Sequence, residues 1–204
     1  ILPLVLASLA TAFFANRPVD YQKVVVSRVS DGDTVELVNG KKVRYLGIDC
    51  PETHRKTSKG WIEVSETFGP EAIALNKNLV LGKDVRLEFD VVKKDKYGRL
   101  LAYCFVKQEG KEVMVQAELL RRGFAYLYTA PPNIKYIDIL VSAYQEAKQT
   151  KEGVWSQDLS IKSASAEKFI GERKLVLGKI NRVKETKKVI RLIMDGLNVI
   201  IFKN

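Results

Sequence analysis

Histidine occurs once in the 204 residues, at His54, and cysteine only twice, at Cys50 and Cys104. One histidine rules out the multi-histidine metal sites, and two cysteines without CxxC spacing rule out a zinc ribbon or a disulfide-built scaffold. The two thiols either pair in an oxidising compartment or stay free and buried. No internal repeat or low-complexity tract is present, which excludes solenoids. No uncharged apolar run reaches the ~20 residues that a membrane-crossing helix takes. Residues 1–15 come nearest, with no charge before Arg17. They fit the apolar core of a signal peptide, with Ala10-Thr11-Ala12 as a small-x-small cleavage site, or part of a membrane anchor. A buried first helix is the remaining reading. Either of the first two places the protein outside the cytoplasm, secreted or tethered to the outer face of the membrane through residues 1–15.

Charge of one sign, by contrast, is in excess. Lys and Arg number 34 against 24 Asp and Glu, for a net +10. That surplus suits a polyanionic partner, most simply DNA or RNA. Apolar residues make up 46% and charged residues 28%, the usual balance of a globular protein. The length holds one ordinary domain and a small appendage, and a monomer is expected.

The densest signal runs from Val29 to Glu52, VSDGDTVELVNGKKVRYLGIDCPE. Asp31-Gly32 and Asn39-Gly40 divide it into short runs rich in Val, Leu, Ile and Tyr. Asx-Gly between such runs predicts hairpins, through the positive φ that tight turns need. The result is a meander over residues 23–30, 34–38 and 41–48. It brings Asp33, Asp49 and Glu52 to one end of the sheet, with Arg44 reaching towards them. Acids held that close repel one another unless a cation lies between them, which asks for a hard divalent metal.

Further strands are expected over residues 84–92, 99–107 and 111–114. Helices are expected from Gly69-Pro70 to Leu81, over 114–122, and after Pro131-Pro132-Asn133. Residues 53–68 read as a polar loop carrying His54, Arg55, Lys56 and Lys59. Five strands are the count for a Greek-key barrel of the oligonucleotide-binding (OB) type. The expected class is therefore mainly β with α: a five-stranded OB barrel with three helices. The domains follow as 1–22 (signal or anchor remnant and linker), 23–158 (barrel), 159–166 (linker) and 167–204. The last segment, with strand-like runs at 175–184, 188–195 and 197–202, reads as a partial OB-like β segment or as an extension of the first sheet.

Asp31-Gly32-Asp33-Thr34, then Arg44-x4-Asp49-Cys50-Pro51-Glu52, then Lys96-Tyr97-Gly98-Arg99 resemble, in order, the signature blocks of the thermonuclease (staphylococcal-nuclease-like) family. The similarity covers residues 24–158. It implies a Ca²⁺-dependent, sugar-non-specific nuclease that cleaves the P–O5′ bond of DNA and RNA and leaves 3′-phosphates. It implies metal binding by Asp33, Asp49 and the Cys50 carbonyl, and phosphate binding by Arg44 and Arg99. Glu52 is the candidate general base, or else orients the attacking water. Lys96 and Tyr97 match contacts to the terminal phosphate; Tyr126 and Tyr128 match base-stacking tyrosines, or are ordinary core aromatics. Stacking tolerates every base, so little sequence preference is expected, and an exposed binding groove should favour single strands or frayed duplex. The competing reading is a non-catalytic nucleic-acid-binding OB module.

Overall fold

The computed structural model describes residues 19–57, 60–63, 66–158, 160–170 and 174–203. The expected signal or anchor segment, residues 1–15, and Lys59 lie outside the described residues. Among the described residues no helix is long and apolar enough to cross a membrane.

Strands β1 (Val24–Asp31), β2 (Thr34–Leu37) and β3 (Lys42–Tyr45) form the antiparallel meander. Gly40 turns β2 into β3 with φ +76°, while Asn39 does not adopt the positive φ expected of both turn residues. Gly32 serves a different purpose. It does not adopt positive φ, but a Cβ there would stand 2.7 Å from the Cys50 Cβ and 2.8 Å from the Ala72 Cβ. Close packing, not turn geometry, requires that glycine.

The third run does not continue to Ile48 as one strand. Gly47, at φ +82°, bends the chain into β4 (Ile48–Asp49). Residues 53–68, expected as a loop, contain a hairpin of β5 (His54–Thr57) and β6 (Gly60–Glu63). Helix α1 (Gly69–Val80) follows, with Pro at its first turn. Next come β7 (Asp84–Lys94), β8 (Leu100–Gln108), β9 (Lys111–Met114), α2 (Val115–Arg121), β10 (Tyr126–Leu127) and α3 (Ile137–Thr150).

The main sheet runs β3-β2-β1-β7-β8-β9, and β3 also pairs in parallel with β8. That last pairing closes a five-stranded OB-like barrel, with β9 hydrogen-bonded to β8 outside the ring. Alternate residues fill its interior: Val26, Val35, Val43, Tyr45, Leu87 and Ala102 are all buried, the period of two that strands impose. Ala72 and Leu79 of α1, Leu119 of α2 and Leu140 of α3 join the same core. Both cysteines are free and buried.

The chain divides after Val154 into two compact units. In the second, β11 (Ser160–Lys162) pairs in parallel with β12 (Leu175–Leu177). The expected linker 159–166 thus carries β11 and the start of a 3-10 helix, Ser163–Phe169. Gly178 follows β12, and the expected run 175–184 is split there: a Cβ would meet Ser163 Oγ at 2.4 Å. β13 (Arg182–Glu185), β14 (Val189–Met194) and β15 (Leu197–Phe202) form an antiparallel meander. Among the described residues it is a sheet of its own, not an extension of the barrel sheet.

Candidate active site

Asp33 occupies the tight turn between β1 and β2 and is 5% exposed. Its Oδ1 accepts from the Thr34 hydroxyl at 3.0 Å, and its Oδ2 accepts from the Cys50 backbone N–H at 2.9 Å. Arg44 stands opposite Thr34 in the β2–β3 ladder. Its Nη1 lies against Asp33 Oδ2, and its Nη2 donates to Asp49 Oδ1 at 2.7 Å. The bend at Gly47 makes this meeting feasible, because a straight third strand would carry Asp49 away along the barrel.

α1 holds the turn from behind. Asn76, fully buried on its inner face, donates from Nδ2 to the carbonyls of Gly32 and Asp31, at 3.0 and 3.3 Å. Its Oδ1 accepts from the Tyr45 hydroxyl at 3.0 Å. The first acidic turn is therefore fixed by the helix behind it and by Cys50 beside it.

Electrostatically the cluster is short of positive charge. Burial raises the pKa of Asp33 above the usual carboxylate range; Arg44 and the Cys50 N–H oppose the rise, and Asp49 adds to it. Asp31 is pushed up to about 6, first by burial and then by the charge of Asp33, with a smaller push from Glu52. Burial, and then Asp33, also drives the Cys50 thiol well up, so it stays protonated and inert.

The donor chemistry fits a hard divalent cation. Four carboxylates (Asp31, Asp33, Asp49 and Glu52) influence one another around a single guanidinium. A carboxylate offers about four lone-pair sites, and the contacts above occupy three on Asp33. Among the described residues, however, no three His, Cys, Asp or Glu side chains already stand at metal-binding spacing. The oxygen donors are gathered, and Arg44 lies between two of them.

Glu52 follows two residues after Cys50; its N–H donates to Glu66 Oε2 at 3.1 Å. Lys96, Tyr97 and Arg99 form the β7–β8 turn, a separate group from the acid cluster. Arg99 Nε donates to Asp95 Oδ2 at 2.7 Å, and its guanidinium carbon lies 5.6 Å from the centre of the Tyr97 ring. The contacts of Arg99 are thus with its own turn rather than with Asp33 or Asp49. The ladder nevertheless keeps the two groups close, since Arg44 pairs with Leu101, two residues beyond Arg99. Lys41, Lys42, Lys94, Tyr97 and Arg99 line a cavity of about 330 Å³ at this turn.

Tyr126 pairs across the short β10–β4 ladder with Asp49 itself, and the Tyr128 N–H donates to the Gly47 carbonyl at 3.0 Å. Tyr126 is half-buried and Tyr128 is 59% exposed, so Tyr128 is not a core aromatic. Two contributors went unread in the sequence. Asn76 was signalled by a polar residue at an apolar position of the α1 stripe, and Asp31 by its place in the acidic turn.

Comparison with known proteins adds an independent line. A family model described as Staphylococcal nuclease homologue matches residues 42–157. Over 139 residues the chain is 44% identical to Endonuclease YncB of Bacillus subtilis, covering 66% of this chain and 62% of that protein. It is 42% identical over 140 residues to the SPbeta prophage-derived endonuclease YokF of the same species, covering 66% of this chain and 44% of that protein. It is 36% identical over 138 residues to Thermonuclease of Staphylococcus hyicus, covering 66% of this chain and 76% of that protein. The chain therefore spans less than two thirds of the length of either B. subtilis relative.

Proposed function

The chain belongs to the staphylococcal nuclease homologue family, and on that premise we propose that it is a Ca²⁺-dependent nuclease hydrolysing DNA and RNA. The observation that carries the reading is the Arg44 guanidinium set between Asp33 and Asp49, beside a strand bearing Tyr126 and an exposed turn bearing Lys96, Tyr97 and Arg99.

In-line attack of water on a phosphodiester builds negative charge on the equatorial oxygens. Arg44 donates to those oxygens from a partly buried position, where donors are worth most, about 3 kcal/mol each. Asp95 engages Arg99 through Nε, which leaves the terminal nitrogens of its fork for the same phosphate. Glu52 takes the proton of the attacking water or orients it by accepting its hydrogen bond. Asp33, Asp49 and the Cys50 carbonyl would hold the ion, which when bound polarises a phosphoryl oxygen. Lys96 and Tyr97 grip the terminal phosphate, and Tyr126 and Tyr128 stack on bases. Cleavage at P–O5′ leaves 3′-phosphates. The enzyme acts as a monomer outside the cytoplasm, exported or tethered through the apolar residues 1–15.

The test is an assay on single- and double-stranded DNA and RNA with Ca²⁺, Mg²⁺ or EDTA. Cleavage in Ca²⁺ that stops in EDTA, and a fall in kcat on the order of a hundredfold or more in Arg44→Ala, are expected. A salt-dependent gel shift with no hydrolysis at any metal concentration would instead establish the binding-module alternative.

A further inference from the structure

From Glu167 to Asn204 the chain has ten Lys and Arg against four Asp and Glu, which is +6 of the net +10. Most of the surplus charge therefore lies outside the barrel that bears the candidate site. The β13–β15 register sorts part of it onto one face. Arg182 pairs with Ile193, Lys184 with Arg191, and Arg191 in turn with Ile200. Phe202 pairs with Val189, two residues before Arg191. Side chains alternate along a strand and match across a ladder, so Arg182, Lys184, Arg191, Ile200 and Phe202 share one face. All five are exposed, Phe202 at 76% and Ile200 at 44%.

The opposite face has another character. It carries Ile190, Leu192, Met194 and Val199, all half-buried, and Met194 Sδ stands 3.2 Å from where a Gly178 Cβ would be. That face packs on the rest of its own unit. Its exposed members, Val183, Glu185 and Ile201, lie on the edge strands β13 and β15, and the basic, aromatic face is the more open of the two.

Two features say what that face binds. Lys184 and Arg191 are directly opposite in an antiparallel ladder, an arrangement that like charges destabilise unless an anion relieves it. The ribbon's acids are occupied elsewhere: Lys203 pairs with Glu185, and Asn181 Nδ2 donates to Asp195 at 2.7 Å. Among the described residues Arg182, Lys184 and Arg191 have no ion-pair partner.

We infer that this face of the β13–β15 sheet is a second binding surface for single-stranded nucleic acid, with Arg182, Lys184 and Arg191 on phosphates and Phe202 stacked on a base. A polyanion with π faces matches both halves of the surface at once. A lipid surface fits worse, because Arg191 lies on the central strand, where apolar insertion would bury it. A second copy fits worse still, since the face would meet its own charge. Covalent linkage to the barrel makes the second contact intramolecular and raises the hold on a long strand. The binding does not depend on hydrolysis, so it can be read where no cleavage occurs.

The experiment is fluorescence anisotropy of a labelled single-stranded oligonucleotide with the full chain in EDTA, titrated over salt. It compares the unaltered protein with a triple variant (Arg182→Gln, Lys184→Gln, Arg191→Gln) and with Phe202→Ala. Three lost phosphate contacts, at about 0.7 each, lower the slope of log K against log salt by about 2 and weaken binding at least about tenfold. Phe202→Ala weakens it about fivefold or more with the slope kept. The three basic positions are exposed, so the triple variant keeps its melting behaviour. Unchanged affinity and slope in the triple variant overturn the inference. So does loss of binding to phosphatidylserine vesicles, or a shift in retention volume on size exclusion, with oligonucleotide affinity intact. Absence of nuclease activity in Ca²⁺ would sink the catalytic proposal and leave this measurement standing.

Discussion

Asn76 shows how much of the site depends on a residue that would never touch substrate. Its amide satisfies two carbonyls of the acidic turn and the hydroxyl of Tyr45. Alanine there removes the amide partner of two turn carbonyls and of the Tyr45 hydroxyl, which keeps only its contact with the Cys104 side chain. A buried polar group left unsatisfied costs about 1–3 kcal/mol unless water reaches it. Asn76→Ala should therefore lose at least about 2 kcal/mol, seen as a lower urea midpoint with an unchanged m value. An unshifted midpoint would mean that the helix does not hold the turn. The contrast with its neighbours explains what was readable at this scale. Asp33, Arg44 and Asp49 stand in motif blocks whose spacing survives in one dimension. Asn76 is tied to Gly32 across 44 positions, and in the sequence it reads as a polar flaw in an apolar stripe. Arg99 was expected beside the acids from its motif block, and its attachment to Asp95 was not readable, because both partners lie within one charged turn.

Whole elements were legible where an apolar face repeats. The β1–β3 meander, α1, β7 and β8 all have one, and their ends fall within a few residues of expectation. The β5–β6 hairpin was not, because THRKT and its neighbours offer no alternating apolar face for the period to register. β4 and β10 are two residues each, too short for any pattern, yet their pairing brings Tyr126 to Asp49. The glycine at the β1–β2 turn is what lets β4 lie close. Gly32→Ala would push a Cβ to within 2.7 Å of the Cys50 Cβ, a contact that neither backbone can yield cheaply. A loss of about 1–3 kcal/mol, as in other overpacked cores, is expected together with reduced turnover. Wild-type melting in that variant would show that β4 can move aside.

Another link between elements sets the acid sensitivity. Burial alone would raise Glu88 on β7, but hydrogen bonds from Lys135, Arg86 and Tyr136 outweigh it and hold the carboxyl down at about 2, against an ordinary 4.5. A depressed carboxyl binds its proton less readily folded than unfolded. Its contribution is therefore complete above pH 4.5 and is lost as pH falls through about 2. Glu88→Gln should melt lower than the parent at neutral pH, and the gap should close between those two limits. A gap that persists undiminished at the acid end would show that the glutamate acts through packing rather than charge.

At the scale of the whole molecule, the two units differ in how they are held. The fully buried apolar residues run from Val24 to Val154, and among the described residues none lies beyond. The second unit's β14 and β15 are half-buried at best, and Ile200, Ile201 and Phe202 are exposed. Units this small have little core to set against chain entropy, so local opening should cost far less there than in the barrel. Hydrogen exchange read by mass spectrometry tests this peptide by peptide. Amides of β13–β15 should exchange on the order of a hundredfold faster than those of β7 and β8, a gap of about 3 kcal/mol in opening free energy. Uniform protection along the chain would mean that the second unit is braced as firmly as the first. A marginal sheet also has a use, because a ligand that binds only the folded form stabilises it by mass action. Adding a single-stranded oligonucleotide in EDTA should therefore slow exchange in β13–β15 far more than in β7 and β8, which have little opening left to suppress. The same addition to the triple variant at Arg182, Lys184 and Arg191 should leave β13–β15 as fast as before. Equal slowing in that variant would show that the protection does not come from these three side chains.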